Sequence, residues 1–329
     1  FTLLLCMSSA HASTQAKLII DTGPYGVHSW FLKGIKDGAF SKRGLDIEFV
    51  GKGPGSIRTG LALATGRADI GYHDYNSVVL VNSKSDDPKV LAIFVVDDLM
   101  QNTIITLKSS GIKTFDDLNG RKLGSHPTSF TNKILATVTS ASWIDVPVHM
   151  PGRVPALVSG HIDAITSFTT SVVFNLEKAG VDIDELNIIK LSDYYPMAVS
   201  RVITVNADWA EKNPQAVKVL REVSRQLLND FIKNPAASVS ALEGPITSTS
   251  KKVDIEVRRA QYGIDELVNT PFVQKNGISN PSAVGPRLNE YTNLLVEKLN
   301  LPTRHPDSKY FSLGKIQEDQ IADYANRKK

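Results

Sequence analysis

Apolar residues gather along the chain into short runs at 17–21, 46–50, 69–72, 90–96, 122–124 and 163–166. Each is too short for a helix. Such runs read as strands buried on both faces, the pattern of a parallel sheet. Between them lie stretches of helical periodicity punctuated by glycine or proline. Strand alternating with helix predicts an α/β fold, a mostly parallel sheet flanked by helices. From about residue 213 the pattern turns helical. Residues 214–233 are amphipathic, with Asn213 placed as an N-cap before a first-turn Pro214. Helices over 253–268, 286–299 and 316–327 are predicted to follow.

One stretch recurs. Ala62-Leu63-Ala64-Thr65-Gly66-Arg67-Ala68-Asp69-Ile70 returns as Ala156-Leu157-Val158-Ser159-Gly160-His161-Ile162-Asp163-Ala164, and each copy trails a Pro-Gly pair, Pro54-Gly55 and Pro151-Gly152. Each copy reads as the last turns of a helix, a left-handed glycine that ends it, then an aspartate leading into a buried strand. A single copy is a common helix-to-strand turn. Two in register suggest two lobes on one βαβ plan.

The chain has 329 residues, about twice the usual length of one domain. Hydrophobic residues make up 42% and charged residues 22%, which excludes intrinsic disorder. No apolar run approaches the ~20 residues of a membrane-spanning helix. A net charge of +3, from 37 basic and 34 acidic residues, is too mild for a nucleic-acid partner. The single cysteine, Cys6, excludes disulfide frameworks and thiolate metal sites. It lies in 1–12, where an apolar Leu3-Leu4-Leu5 run precedes Ala10-His11-Ala12, the small-x-small form of a cleavage site. These residues are expected to be the remnant of an export signal cut after Ala12, giving a periplasmic chain.

Four segments together resemble a known group. They are Asp21-Thr22-Gly23-Pro24-Tyr25-Gly26-Val27-His28 after the first strand, Phe40-Ser41-Lys42-Arg43-Gly44-Leu45-Asp46-Ile47, the two repeated turns, and Ile112-Lys113-Thr114-Phe115-Asp116-Asp117-Leu118-Asn119-Gly120-Arg121-Lys122-Leu123-Gly124. In order and spacing, from about residue 17 to 242, the chain resembles the ABC-transporter periplasmic solute-binding proteins of the nitrate, sulfonate, taurine and thiamine-pyrimidine-precursor group (NMT1/THI5-like). The resemblance implies a type II periplasmic binding fold, with lobe one from 13–104 plus 205–329 and lobe two from 105–204. It also implies a small solute bound between the lobes, an ABC permease at the inner membrane as partner, and no cofactor. A monomer is expected. The residues after Pro245 have no assigned role beyond packing on lobe one.

In open parallel sheets ligands sit beyond the carboxyl ends of strands, where loops enter helix N-termini and free N–H groups favour anions. The candidate ligand-binding residues are therefore Tyr25, His28, Ser29 and Trp30 after the first strand, and Gly53, Gly55 and Ser56 after the second. Ser56 doubles as a helix N-cap. His73, Asp74, Tyr75 and Asn76 follow the third strand. The second lobe supplies His126, Thr128, Ser129, Phe130, Arg153, Ser167, Phe168 and Thr169. Three of the seven histidines, His28, His73 and His126, fall at strand ends, where an imidazole can donate to an acidic group without a permanent charge. Each alone also reads as a turn histidine, and no pair has a local metal-ligand spacing. Arg153 could clamp an acidic group or stand solvated; Lys52 reads more readily as exposed. Aromatic side chains beside these loops favour an organic solute, with an anionic or heteroaromatic head, over an inorganic ion.

Catalysis has little support: the chain has no Gly-x-Ser-x-Gly elbow, no phosphate-binding loop and no dinucleotide fingerprint. A related branch makes the thiamine pyrimidine with a cysteine-rich motif and iron, which a chain with one cysteine cannot reproduce. LysR-type regulators share the fold but carry an N-terminal helix-turn-helix, whereas the sheet begins here near Lys17. The expectation is a solute receptor rather than an enzyme; the alternative is an exported enzyme or metal-binding protein using the same cleft.

Overall fold

The structure, a computed structural model, describes residues 13–53, 55–126, 129–241 and 250–302. The export-signal remnant, Pro54, Thr128 and the helix expected at 316–327 lie outside the described residues.

Among the described residues, ten strands form two five-stranded sheets. The first contains β1 (Thr14–Ile20), β2 (Leu45–Lys52), β3 (Ile70–Asp74), β4 (Val90–Val95) and, from far along the chain, β10 (Arg201–Asn206), in the order β2-β1-β3-β10-β4. The second contains β5 (Asn102–Leu107), β6 (Lys122–Ser125), β7 (Ile144–Pro147), β8 (Ala164–Phe168) and β9 (Leu186–Lys190), in the order β7-β6-β8-β5-β9. The two plans are the same. In each, four strands share a direction, and the fifth is antiparallel to both its neighbours. That fifth strand is the one the chain enters on passing between sheets, β5 outward and β10 on return. Each lies wholly within its new sheet, so the passages occupy 96–101 and 191–200.

The repeated turns coincide bond for bond. Gly66 and Gly160 take left-handed φ of 70° and 72°. Their N–H groups donate to the carbonyls of Leu63 and Leu157, the last residue but one of each helix. Asp69 and Asp163 then accept, each at 2.8 Å, from the N–H of Lys17 on β1 and Lys122 on β6. An L side chain would strain either glycine, which is why the sequence keeps the pair.

Helices α1 (Ser29–Lys36), α2 (Ser56–Ala64), α3 (Tyr75–Asn82), α4 (Phe130–Leu135), α5 (Met150–Val158) and α6 (Thr169–Lys178) follow strands in turn. Past β10 come α7 (Ala207–Lys212), α8 (Pro214–Lys233), α9 (Pro235–Ser240), α10 (Ser250–Gly263), α11 (Pro271–Asn276) and α12 (Pro281–Lys298). Two capping expectations are corrected. Asn213 makes no side-chain cap to α8; its amide donates to the Trp209 carbonyl instead. Gly55, at φ 106°, is the N-cap of α2, while Ser56 is the first helical residue and donates to Asp21.

The C-terminal helices touch both sheets' surroundings. Tyr291 of α12 donates to Asn76 on α3 at 2.5 Å. The buried Glu256 of α10 accepts from the Gly26 N–H at 2.7 Å, just before α1, and pairs with Lys178 at the end of α6. Arg259, one turn on, donates to the carbonyls of Thr170 and Ser171 at 2.7 and 3.3 Å. Helix α10 therefore binds elements that follow the first sheet's β1 and the second sheet's β8 at once, beyond the single-lobe packing expected. Among the described residues no helix is long and apolar enough to cross a membrane.

Candidate functional site

A cleft of about 830 Å³ opens between the sheets. Its walls are strand carboxyl ends and the helix starts that follow them, the position the α/β topology favours for ligands. From the first sheet come Asp21 after β1, Lys52 and Gly53 at the end of β2, and Asp74 closing β3; the first turn of α2 adds Ser56 and Arg58. The second sheet faces them with Asn102 on β5, His126 after β6, Ser129 and Phe130 opening α4, Arg153 on α5, and Ser167 and Phe168 ending β8.

The charge in this cleft is unevenly compensated. Arg153 is only 5% exposed. Its Nε donates to the Val148 carbonyl at 3.0 Å and its Nη1 to the Thr166 carbonyl at 2.8 Å. No carboxylate pairs with it among the described residues, and burial pulls its pKa down to about 10. His126 and His149 stand beside it with ring centroids 5.4 Å apart. Desolvation, then Arg153 and His149, lower the His126 pKa and keep that imidazole neutral at physiological pH. Opposite stand two buried carboxyl groups. Burial pushes Asp21 up to about 6 and Asp74 up to about 7. Asp74 is held by Asn76 and Ser200.

Of the residues singled out from the sequence, Tyr25, Gly53, Gly55, Ser56, Asp74, His126, Ser129, Phe130, Arg153, Ser167 and Phe168 line this cleft, as does Lys52. Seven others lie elsewhere. His73 precedes Asp74 on β3 and so points to the opposite face of the sheet. Its ring is enclosed between Ser77 Oγ at 2.6 Å and Thr204 Oγ1 at 2.8 Å, with its pKa lowered to about 3 by desolvation. Gly60 and Gly71 leave the room it occupies: a Cβ on either would come within 3.5 and 2.9 Å of the imidazole. His28 lies behind the cleft wall, its Nδ1 accepting from the Tyr25 N–H at 3.1 Å and its Nε2 3.4 Å from Arg201. Desolvation, chiefly, holds its pKa well below the usual imidazole value. Trp30 packs in the core against Phe31, Tyr72 and Phe94, and Ser29 beside it is buried. Tyr75 bonds Thr292 of α12 at 2.7 Å, Asn76 is held between Asp74 and Tyr291, and Thr169 donates to the Gln101 carbonyl at 3.1 Å.

Sequence reasoning passed over Asp21, Arg58, Asn102, His149, Asn175 and Lys178, all of which line the cleft. Asp21 carried a signal, a carboxylate directly ending an apolar strand. Asn175 and Lys178 carried none, since α6 reaches the cleft only through tertiary packing.

The paired plan, with one strand exchanged between sheets and a cleft at the strand ends, is the type II periplasmic binding fold. The chain belongs to the NMT1/THI5-like family, whose model matches residues 26–238. A second model, the activation domain of vitamin B12 dependent methionine synthase, matches only residues 301–329, nearly all outside the described ones. No curated protein matches the chain. Among solved structures, it is similar to the alkanesulfonate-binding protein of Xanthomonas axonopodis pv. citri bound to MOPS, at 14% identity and TM-score 0.67, over 92% of this chain and 99% of that one. It is similar also to the periplasmic aliphatic sulphonate binding protein of Escherichia coli, at 14% identity and TM-score 0.64 over 90% and 96% of the two chains. The periplasmic nitrate-binding protein of Synechocystis PCC 6803 shares 14% identity and TM-score 0.63 over 96% of this chain and 90% of that one. These relatives bind solutes.

Proposed function

We propose that the chain is the extracytoplasmic solute receptor of an ABC importer, exported to the periplasm, binding a small organic acid or an acidic heteroaromatic compound in the cleft. The carrying observation is Arg153: a guanidinium so buried, with no carboxylate partner among the described residues, calls for an anion from outside the chain. Lys52, Arg58 and His149 around the same space reinforce it. The rings of Tyr25, Phe130 and Phe168 offer faces to an organic body, and the volume suits one. The relatives' sulfonates and nitrate support an acidic group without fixing which one.

On this reading the sheets are two lobes, 13–95 with 201–302 and 102–190, joined by 96–101 and 191–200. A solute touching Asp21 or Ser56 on one side and Arg153 or Ser129 on the other stabilises the closed state through contacts no open state makes. The cleft groups then bind and orient; none is asked to react. Mass spectrometry of small molecules carried by the purified protein, with thermal shift against carboxylates, sulfonates and heteroaromatic acids, tests the reading. An acid that raises the melting temperature with or without chelator supports it. Stabilisation that disappears with chelator points to a metal-handling protein and overturns it.

A further inference from the structure

Both walls of the cleft hold atoms that an acid alone cannot satisfy. Asp21 is 1% exposed and lines the cleft. Its Oδ2 accepts from the Ser56 hydroxyl, and its carbonyl accepts from the Gly55 N–H at 3.0 Å. Its Oδ1 is buried with no hydrogen-bond partner. Across the cleft, the amide nitrogen of Asn102 is taken by Thr131 at 2.9 Å, and its Oδ1 is likewise buried and unpartnered. Thr166 Oγ1 and Ser167 Oγ, on the same wall, are also unpartnered, but a hydroxyl can turn to donate or accept. Asp21 Oδ1 as a carboxylate and Asn102 Oδ1 can only accept.

A buried acceptor with no donor retains its full desolvation cost. A solute with nothing but acidic oxygens, seated on Arg153, leaves both acceptors unmet and brings its charge toward a second carboxylate. A solute with an N–H group opposite its acidic end meets Asp21 Oδ1 and reverses the repulsion, while a further N–H on the Arg153 side would meet Asn102 Oδ1. We propose that the cleft selects bipolar solutes, an acidic group on Arg153 and an amine or ring N–H donating to Asp21 Oδ1, with Asn102 Oδ1 a second acceptor. The proposal rests on the receptor reading and narrows it.

The ionisation of Asp21 supplies a second handle. Burial raises its pKa to about 6, against the pull of the Ser56 hydroxyl, Arg201 and Thr22, with Asp97 adding a smaller push. Asp74 on β3 and the phenol of Tyr72 also share its field. Above that pKa the group accepts; below it the carboxyl carries a proton and its preference for a donor fades.

The test uses solutes matched in skeleton and differing in the amine: γ-aminobutyrate against butyrate, homotaurine against propanesulfonate, and para-aminomethylbenzoate against para-toluate. Affinities are measured by calorimetry with the full chain at about pH 8 and about pH 5, either side of the Asp21 transition. The expected result at the higher pH is that the amine-bearing member of at least one pair binds about tenfold to a hundredfold more tightly, the range of a charged hydrogen bond. That preference shrinks at the lower pH and in Asp21→Asn, whose melting is compared with the parent. The pH arm needs no variant, so a folding defect in Asp21→Asn leaves the test standing. Equal binding within every pair, or a preference indifferent both to pH and to Asp21→Asn, overturns the proposal and leaves the receptor reading intact. Failure of every probe at both pH values overturns both.

Discussion

The guanidinium of Arg259 lies over the ring of Tyr25, with Cζ 4.1 Å from the centroid. Tyr25 lines the cleft, whereas Arg259 belongs to α10, beyond the stretch matched by the family model. The same guanidinium donates to Thr170, Ser171 and the Asn175 side chain, and pairs with Glu256 at 3.0 Å. One fully buried cation thus fixes a ring on one side of the cleft and an amide on the other.

Removing it should cost more than an ordinary surface ion pair. Arg259→Ala leaves Glu256 buried with only Lys178 and the Gly26 N–H, and strips donors from two carbonyls. The expected loss is about 3 kcal/mol, as for buried pairs broken from one side. Solute affinity should fall as well, because Tyr25 and Asn175 lose their support. Arg259→Lys keeps the charge without the planar fork and should fall between. Denaturant unfolding checks the first expectation and calorimetry the second. A change below about 0.5 kcal/mol, the range of a neutral surface substitution, would show that this network contributes little.

The pH dependence of stability has two opposed sources on one strand. Folded Asp74 keeps its proton to about pH 7, whereas the unfolded chain releases it near 3.8. The folded state therefore holds more protons between those values, and this group's contribution declines as pH rises from 3.8 to 7. Folded His73 titrates only near 3 against 6.5 when unfolded, so its contribution is lost as pH falls through that window. Over the shared range the slopes oppose each other. Asp74→Asn should unmask the histidine, making the variant more stable than the parent at pH 8 by roughly 4 kcal/mol at most. It should also lose stability faster on acidification. Urea unfolding across pH checks both; a variant that tracks the parent throughout refutes the assignment.

How far the sequence carried the fold can be read from these same strands. The helix–glycine–aspartate turns were legible because one backbone conformation demands glycine and one N–H demands a carboxylate. The buried runs of β1, β3, β4 and β8 were legible as continuous apolar segments. The expected lobe boundaries fall inside β5 and β10, since only the assembled sheets show that each strand is inserted antiparallel into its new one. Site residues were harder, because a strand sends successive side chains to opposite faces. Asp74 therefore reaches the cleft and His73 does not, a parity that loop position does not reveal. Arg259 and Lys178 depend on α10 docking, which no local pattern encodes.

Arg153 should separate binding from folding. Arg153→Ala removes the uncompensated charge, so solute affinity is expected to fall about a hundredfold while stability changes little or improves, since an unpaired buried cation is costly. Arg153→Lys should recover part of the affinity, as a point charge replaces a fork. Calorimetry with any acid found to bind, beside a melting curve, checks this. Unchanged affinity in Arg153→Ala would place the anion elsewhere in the cleft.

Gly26 tests whether α10 is seated against the cleft wall. A Cβ built there would stand 2.1 Å from the Glu256 carbonyl oxygen, an overlap with backbone that no rotamer relieves. Gly26→Ala must therefore push α10 outward, lengthening the bond from the Gly26 N–H to Glu256 and lifting Arg259 from Tyr25. Overpacking of this kind costs roughly 1–3 kcal/mol. The displaced helix should also open Arg259, fully buried in the parent, to trypsin, so cleavage there is expected to be faster than in the parent, with weaker solute binding alongside. Parent-like melting and cleavage would mean that α10 does not press on Gly26, and its hold on the cleft through Glu256 and Arg259 would be lost with it.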